Sequence, residues 1–241
     1  MIKTFFFWSL FAVLILISLV LGPMISIFYK KENVYQRFAV IISKIMLLIG
    51  GIKVTVSGLE RIPRQENVIF VSNHQSTVDG FVLSAFLPKL FRFVIMRQIY
   101  EVPILKKFLS RAGYIMVEPA DPKQAMIAMQ RINSVLRRGE SLVIFPEGMR
   151  SPDRKLQEFK NGTGILIMGA NKTVVPIAIL NSYRVMQRDE QMGLRLRPGR
   201  VKVKIGEPMT FAQFQEINLE NARSIDAKLR EMIEGLMREN P

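Results

Sequence analysis

Cysteine is absent from this chain of 241 residues, and histidine occurs only once, at position 74. Zinc sites made of His and Cys, HExxH metalloproteases and cysteine nucleophiles all need residues that the sequence does not contain. The serine-nucleophile patterns GxSxG and SxxK are missing as well. Base catalysis near neutral pH therefore has one obvious candidate, His74.

This histidine lies in the stretch VIFVSNHQSTVDG, residues 68–80, whose pattern is a buried strand followed by a turn. Residues 68–71 are apolar and predict the strand, and Ser72 and Asn73 end it. Asp79 falls in the first turn of the next helix, where its carboxylate could return to one imidazole nitrogen of His74 and orient the ring as a general base. The alternative is a histidine without a catalytic role beside an ordinary acidic residue at a helix start.

A second motif, FPEGMRS, occupies residues 145–151 and follows another short apolar strand. Together, NHQSTVD and FPEGMRS resemble the NHx4D and FPEGxRS motifs of the glycerolipid acyltransferases, the family that contains the 1-acyl-sn-glycerol-3-phosphate acyltransferases. Two motifs in the same order, about 70 residues apart, are a far more specific signal than either alone. The resemblance covers roughly residues 51–210.

The resemblance implies direct acyl transfer from a thioester of acyl carrier protein or coenzyme A to the sn-2 hydroxyl of 1-acyl-glycerol-3-phosphate (lysophosphatidic acid), giving phosphatidic acid. His74 would be the base, oriented by Asp79, and Glu147, Gly148 and Arg150 would bind the glycerol phosphate. The thioester is a cosubstrate, and no other cofactor is expected. The sequence offers no ligand set that demands a metal.

One block departs from the family pattern. Family members carry GxIxIDR, whose arginine contacts the phosphate, whereas residues 113–119 read GYIMVEP, with Glu118 and Pro119 in the last two places. Phosphate recognition would then depend on Arg150 and on a set of weaker candidates: Arg97, Lys106, Lys107, Arg111 and Lys160. Glycerol 3-phosphate and a lysolipid without a phosphate remain open as alternative acceptors.

Strand and helix patterns alternate from residue 52 onward. This alternation predicts an α/β fold with a central mixed, largely parallel sheet flanked by helices, preceded by a two-helix membrane anchor. Catalytic loops are then expected at the carboxyl ends of the strands. Residues 194–197 and 201–205, separated by Pro198 and Gly199, predict a β-hairpin.

The first predicted anchor helix is an apolar run. Residues 5–28 contain no charged side chain, and Lys3, Lys30 and Lys31 flank them. As a helix the run would measure about 36 Å, enough to cross a bilayer, but Gly22 and Pro23 predict an interruption. We interpret the run as a retained anchor, with a cleaved signal peptide as the alternative.

The second predicted anchor helix covers residues 34–49. Its cations, Arg37 and Lys44, lie opposite an apolar stripe, which is typical of a helix in the membrane interface. A helix packed on the soluble domain is the alternative. The stripe comprises Val34, Phe38, Ile41, Ile42, Ile45, Leu48 and Ile49. We therefore divide the chain into membrane-associated helices, residues 1–50, and an acyltransferase domain, residues 51–241.

The composition is 49% hydrophobic with a formal charge of +14. This combination fits a protein held against an anionic membrane, and the flanking cations predict the cytoplasmic face of the cell membrane, with monotopic attachment or one N-terminal anchor. Nucleic-acid binding is not expected, because the cations lack interleaved aromatic residues. From another functional class, the alternative is a basic membrane adaptor without catalytic activity.

Overall fold

The computed structural model describes residues 2–96, 102–117, 122–151, 155–160, 162–189, 193–214 and 216–238. The main strands are β1 (Ile52–Ser57), β2 (Ile69–Ser72), β3 (Phe91–Met96), β4 (Ile115–Val117), β5 (Ser141–Ile144), β6 (Val174–Leu180) and β9 (Gly199–Ile205). They form one seven-stranded sheet in the order β1-β9-β6-β2-β5-β3-β4. Neighbouring strands are parallel except β6 and β9, which are antiparallel. The predicted α/β class with a mixed, largely parallel sheet is confirmed.

Helices cover both faces of this sheet. One face carries α1 (Ile2–Ile25), α2 (Lys31–Ile49), α3 (Val78–Phe86) and α4 (Pro103–Arg111), and the other carries α5 (Pro122–Arg137), α6 (Thr163–Ala170) and α8 (Leu219–Arg238). Within β2, Phe70 packs on the first layer while Ile69 and Val71 pack on the second. Because successive side chains of a strand point to opposite faces, a strand covered on both faces is a continuous apolar run.

The predicted hairpin between residues 194–197 and 201–205 is wrong. A short helix, α7 (Ser182–Val185), leads into β7 (Met186–Asp189), and β7 pairs with β8 (Gly193–Leu196) in a separate two-stranded sheet. Along β9, Val201, Val203 and Ile205 are buried in alternation. Both edges of β9 are already hydrogen-bonded, to β1 and to β6, so β8 must pair elsewhere.

The first N-terminal helix continues through Pro23, which corrects the predicted interruption. Proline has no N–H, so the carbonyl of Leu19, four residues earlier, loses its helical donor. Arg111 of α4 supplies a replacement, since its Nη1 donates to the Leu19 carbonyl at 3.1 Å. At Gly22 an added Cβ would lie 2.5 Å from the ring of Tyr35 in α2, so the glycine permits close packing of the two helices.

The second N-terminal helix buries only part of its predicted apolar stripe, including Val34 and Ile42. Leu48 of the apolar stripe is 80% exposed, whereas the polar Gln36 is only 3% exposed. The reason is Arg92 in β3, which is fully buried. Its guanidinium donates to Gln36 Oε1, and it donates to Asn33 Oδ1 at 3.0 Å. Because a buried cation needs partners, Arg92 fixes the rotation of α2.

The division between residues 1–50 and 51–241 stays a prediction. Side chains of α2, including Tyr35, Ile42 and Met46, belong to the same apolar cluster as Phe70 and Val143 of the sheet. The second helix is therefore packed as part of the globular core, which agrees with the alternative that residues 34–49 form a helix packed on the soluble domain.

Candidate active site

The two sequence motifs meet at one edge of the sheet. β2 and β5 are parallel neighbours, with Val71 opposite Ile144, so the residues after each strand leave the same edge. His74 follows β2, and the loop of residues 145–151 follows β5. Ligand sites of open α/β sheets lie outside the carboxyl ends of the strands, as the sequence predicted here.

His74 and Asp79 form a hydrogen-bonded pair. Nδ1 of His74 lies 2.9 Å from Oδ2 of Asp79. A carboxylate only accepts, so the imidazole proton is assigned to Nδ1, and Nε2 keeps its lone pair. The Asp79 side chain is fully buried, whereas 16% of the His74 side chain is exposed. This gives an oriented imidazole with restricted access to water, which suits a general base.

Asp79 also holds the turn that carries the histidine. Its Oδ2 accepts the backbone N–H groups of Gln75 and Ser76, each at 2.8 Å. The hydroxyl of Ser76 donates to the carbonyl of Met186, at the start of β7. The turn is thus closed around one buried carboxylate and anchored to the smaller sheet.

Asn73 is a positioning residue that the sequence pattern indicated only as a turn former. Its side-chain Oδ1 accepts the N–H of Ile179 at 2.7 Å, and its Nδ2 donates to the Ile179 carbonyl at 2.9 Å. The amide therefore continues the pairing of β2 and β6 one residue beyond β2 and fixes the position of the His74 backbone. Its place directly before the histidine in the motif was the available signal.

Glu147 joins the second loop to the first. Its Oε1 accepts the backbone N–H of His74 at 2.6 Å, and its Oε2 accepts the N–H of Gln157 at 2.9 Å. Burial raises the pKa of Glu147 to about 7, although the two backbone hydrogen bonds oppose the shift. In return, the His74 carbonyl accepts the N–H of Ser151 at 2.9 Å. Both oxygens of Glu147 contact protein, and its predicted contact with glycerol phosphate stays a prediction.

Gly148 and Arg150 complete the loop. Gly148 has a φ of +72° and donates its N–H to the Phe145 carbonyl at 3.0 Å, so the tight turn needs a residue without a Cβ. Nη1 of Arg150 donates to the hydroxyl oxygen of Thr77 at 2.8 Å, which places the guanidinium beside the turn of His74. A guanidinium can bind a phosphate through two parallel hydrogen bonds, and this role of Arg150 stays a prediction.

Comparison with known proteins agrees with this geometry. The sequence profile described as Acyltransferase matches residues 53–180, more than half of the chain. The chain belongs to the acyltransferase family. The resemblance carried by the two motifs is thereby confirmed.

Relatives of the chain occur in bacteria and plants. The chain is 31% identical over 197 residues to a 1-acyl-sn-glycerol-3-phosphate acyltransferase of Pseudomonas aeruginosa, covering 80% of this chain and 73% of that protein. It is 28% identical over 200 residues to the chloroplastic 1-acyl-sn-glycerol-3-phosphate acyltransferase LPAT1 of Arabidopsis thaliana, covering 82% of this chain and 55% of the relative. The chain thus spans little more than half the length of the Arabidopsis protein.

The fold is also similar to a solved structure. The crystal structure of the 1-acyl-sn-glycerophosphate acyltransferase PlsC from Thermotoga maritima matches with a TM-score of 0.71 over 97% of both chains, at 20% sequence identity. This likeness supports the fold.

The weaker candidates for phosphate binding do not all lie near the second motif. Lys160 is exposed, and its backbone N–H donates to the Pro146 carbonyl at 2.9 Å, so it adjoins the second motif. Lys106 and Lys107 are exposed on α4. Arg97 lies outside the described residues, as do Glu118 and Pro119 of the divergent block. Their roles in binding stay predictions.

Arg111 is placed by the structure against the N-terminal helices. It ends α4 and precedes β4, which puts it toward the amino-terminal edge of the parallel strands, opposite His74. Its Nη1 donates to the Tyr35 hydroxyl at 2.9 Å as well as to the Leu19 carbonyl, and its guanidinium lies 5.6 Å from the centroid of the Tyr35 ring. The structure therefore does not bring Arg111 together with the dyad, because its hydrogen bonds hold α1 to α4.

Within the part of the chain that the structure describes, no group of three or more His, Cys, Asp or Glu side chains could hold a metal ion. The expectation that the chemistry needs no metal and no resident cofactor stays a prediction. The side chains that do converge, a His-Asp dyad beside a loop with one guanidinium, can supply a base and an anion-binding group.

Proposed function

We propose that the protein transfers a fatty acyl group from an acyl thioester to the free sn-2 hydroxyl of 1-acyl-glycerol-3-phosphate, giving phosphatidic acid. The hydrogen bond between His74 Nδ1 and Asp79 Oδ2 carries this proposal, because it leaves Nε2 free to accept a proton. Family membership and the names of the relatives, which are 1-acyl-sn-glycerol-3-phosphate acyltransferases, support the choice of acceptor. The thioester donor is acyl carrier protein or coenzyme A.

In the reaction, Nε2 of His74 takes the proton of the acceptor hydroxyl while that oxygen attacks the thioester carbonyl carbon. The C–S bond then breaks, and the imidazolium gives its proton to the leaving thiolate, which returns His74 to its neutral form. Asp79 stabilises the imidazolium and fixes the reactive tautomer. Atoms and charges balance without a covalent enzyme intermediate.

We assign phosphate recognition to Arg150, with Lys160 as the second candidate, because its backbone N–H bonds to the Pro146 carbonyl of the same loop. The guanidinium of Arg150 is already held by Thr77, three residues after His74. A phosphate bound there would hold the free sn-2 hydroxyl close to the imidazole. Positioning of this kind accounts for much of the rate enhancement in transfers between two bound substrates.

The test is an acylation assay with purified protein, both thioester donors and a panel of acceptors. The panel contains lysophosphatidic acid, glycerol 3-phosphate and a lysolipid without a phosphate. Product formed with lysophosphatidic acid at the highest kcat/KM supports the proposal. Preference for either other acceptor would replace it with the corresponding acyltransferase activity, and no product with any acceptor would favour the membrane adaptor.

We propose further that α1 attaches the protein to the cytoplasmic face of the cell membrane and lies in the plane of the surface. It is long and apolar enough to cross a membrane. Its inner face, however, packs on the domain: Phe7 lies edge-on to Phe81 of α3, and the Leu196 N–H of β8 donates to the Thr4 hydroxyl. Its outer face exposes Phe5, Val20 and other large apolar side chains. Flotation with anionic vesicles tests this, and loss of binding is expected for Phe5→Ser combined with Phe6→Ser.

A further inference from the structure

Phe145, the first residue of the second motif, stacks on the imidazole of His74. The two ring centroids are 4.2 Å apart and the ring planes differ by 19°. Asp79 contacts the edge of the imidazole at Nδ1, so the carboxylate and the phenyl ring approach it from different directions. The geometry points to Phe145 as a positioning residue that fixes the plane of the His74 ring and stabilises its protonated form through its π face; this inference rests on the proposed function.

The phenyl ring is itself held in place. Behind it lies Phe93 of β3, nearly parallel, with centroids 6.0 Å apart and an interplanar angle of 13°. Phe93 in turn meets Phe91 and Tyr114 edge to face, at 5.2 and 5.3 Å. Because these rings come from β3 and from the residue directly before β4, the stack is supported by the sheet and not by a loop alone.

The physical effect of the stack follows from the charge distribution of an aromatic ring. The face of a phenyl ring is the negative end of its quadrupole and attracts a cation. When His74 accepts the hydroxyl proton it becomes a cation, and the attraction then lowers the energy of the transition state relative to the neutral enzyme. A ring pressed on one face also prevents the imidazole from rotating away from the acceptor.

Other charged groups face the same turn and remain in every variant used below. Asp79 of α3 contacts Nδ1, Glu147 accepts the backbone N–H of His74, and Arg150 donates to Thr77. The acceptor phosphate titrates in the same pH range, but equally for all variants. Differences between variants at matched substrate concentrations therefore report the stack.

The experiment compares Phe145→Leu with the wild-type enzyme in kcat and in kcat/KM, each measured against pH. Leucine keeps an apolar side chain and removes the π face. We expect the plateau of kcat to fall roughly 3- to 30-fold, and the acid limb of the profile to move to lower pH by about half to one and a half units. Loss of the π face makes the imidazole a weaker base and the imidazolium easier to deprotonate. The lower plateau and the shifted acid limb therefore have one cause. The acceptor KM should stay within about twofold.

Two further variants separate stacking from packing. Phe145→Tyr keeps the ring face and should restore both the plateau and the acid limb. Phe91→Leu makes the same substitution at a fully buried ring, and the rings of Phe145 and Phe93 lie between it and His74. It should lower the unfolding temperature without moving the acid limb. A Phe145→Leu enzyme with an unmoved acid limb, or a Phe145→Tyr enzyme that is not restored, would overturn the inference.

A measurement that needs no substrate distinguishes failure of the proposed function from failure of the stacking inference. Histidine occurs once in the chain, so a sample labelled only in histidine gives the imidazole resonances of His74 alone. The inference expects the resonance to titrate at lower pH in Phe145→Leu than in the wild type, whether or not the protein acylates any lysolipid. The same titration in both proteins would reject the stack even if the acylation assay succeeds.

Discussion

The side-chain Oε1 of Glu147 accepts the backbone N–H of His74 at 2.6 Å. Since the Ser151 N–H donates back to the His74 carbonyl at 2.9 Å, the histidine backbone is held on both sides by the second motif. Glu147 therefore positions His74, the proposed base, through the main chain. Two motifs distant in sequence form one rigid unit, and changes in either should disturb the other.

Glu147→Gln should lower kcat about tenfold while leaving the acceptor KM within about twofold. Glutamine offers one acceptor oxygen to two backbone N–H groups, so either His74 or Gln157 loses its buried partner. Glu158→Gln is the matched control, because it removes an exposed acid from the same segment. Steady-state kinetics check the prediction, and a rise in KM alone would place Glu147 on the substrate instead.

His74→Ala should lose at least about 10²-fold in kcat with the fold intact, since a general base typically contributes that much. Asp79→Asn should lose less, because it keeps the size of the side chain but no longer stabilises the imidazolium. The double variant should be less than additive, since the two residues act as one unit. Kinetics with circular dichroism as the folding control test this, and near wild-type activity of His74→Ala would end the mechanism.

Arg150→Ala should mainly raise the KM for lysophosphatidic acid, as expected for loss of binding that is equal in the ground state and the transition state. Thr77→Val is the matched variant, because it removes the hydroxyl that accepts from Arg150 but keeps the guanidinium. It should have a smaller effect on KM. Equal kinetics of Arg150→Ala and the wild type across the acceptor panel would remove this arginine from the phosphate site.

Gln36→Leu should destabilise the folded protein by about 1–3 kcal/mol, because it removes a buried acceptor from the guanidinium of Arg92. Arg92 would keep Glu140, whose Oε2 lies 2.8 Å from its Nε, and Asn33. Arg37→Gln, an exposed change on the same helix, should stay within about 0.5 kcal/mol of the wild type. Urea unfolding in detergent measures both, and equal midpoints would show that α2 is not part of the cooperative core.

Asp226→Asn should change how stability depends on pH. Burial of Asp226 on α8 raises its pKa to about 6, from an ordinary value of 3.8, against a hydrogen bond from the Gly164 N–H. A raised acid pKa means that the folded state favours the proton, so this contribution to stability is complete below about pH 4 and is lost as pH rises through 6. The variant has no such loss, and its stability relative to wild type should rise from pH 4 to pH 7.

Thermal unfolding across that pH range makes the comparison. Glu216→Gln, at an exposed acid in the segment before α8, should give a constant difference from the wild type. A constant difference for Asp226→Asn as well would mean that the carboxyl group is solvated in the folded state.

Local patterns in the sequence determined much of this protein. Short apolar runs alternating with helical periods gave the α/β class, and β2, α3 and β5 lie where those patterns put them. The spacing of His74 and Asp79 predicted their contact, because a strand end, a turn and one helical turn are all local structures. The two motifs also identified the family without any tertiary information.

Only the tertiary structure decided which distant residues orient these helices, strands and turns. The face that α2 buries depends on Arg92, the continuation of α1 through Pro23 depends on Arg111, and the orientation of His74 depends on Glu147 and Phe145. β9 is an inner strand because β1 and β6 take both of its edges. In each case a buried polar group or an open strand edge finds its partner far away along the chain, and the free energy of that pairing overrides the local preference that the sequence displays.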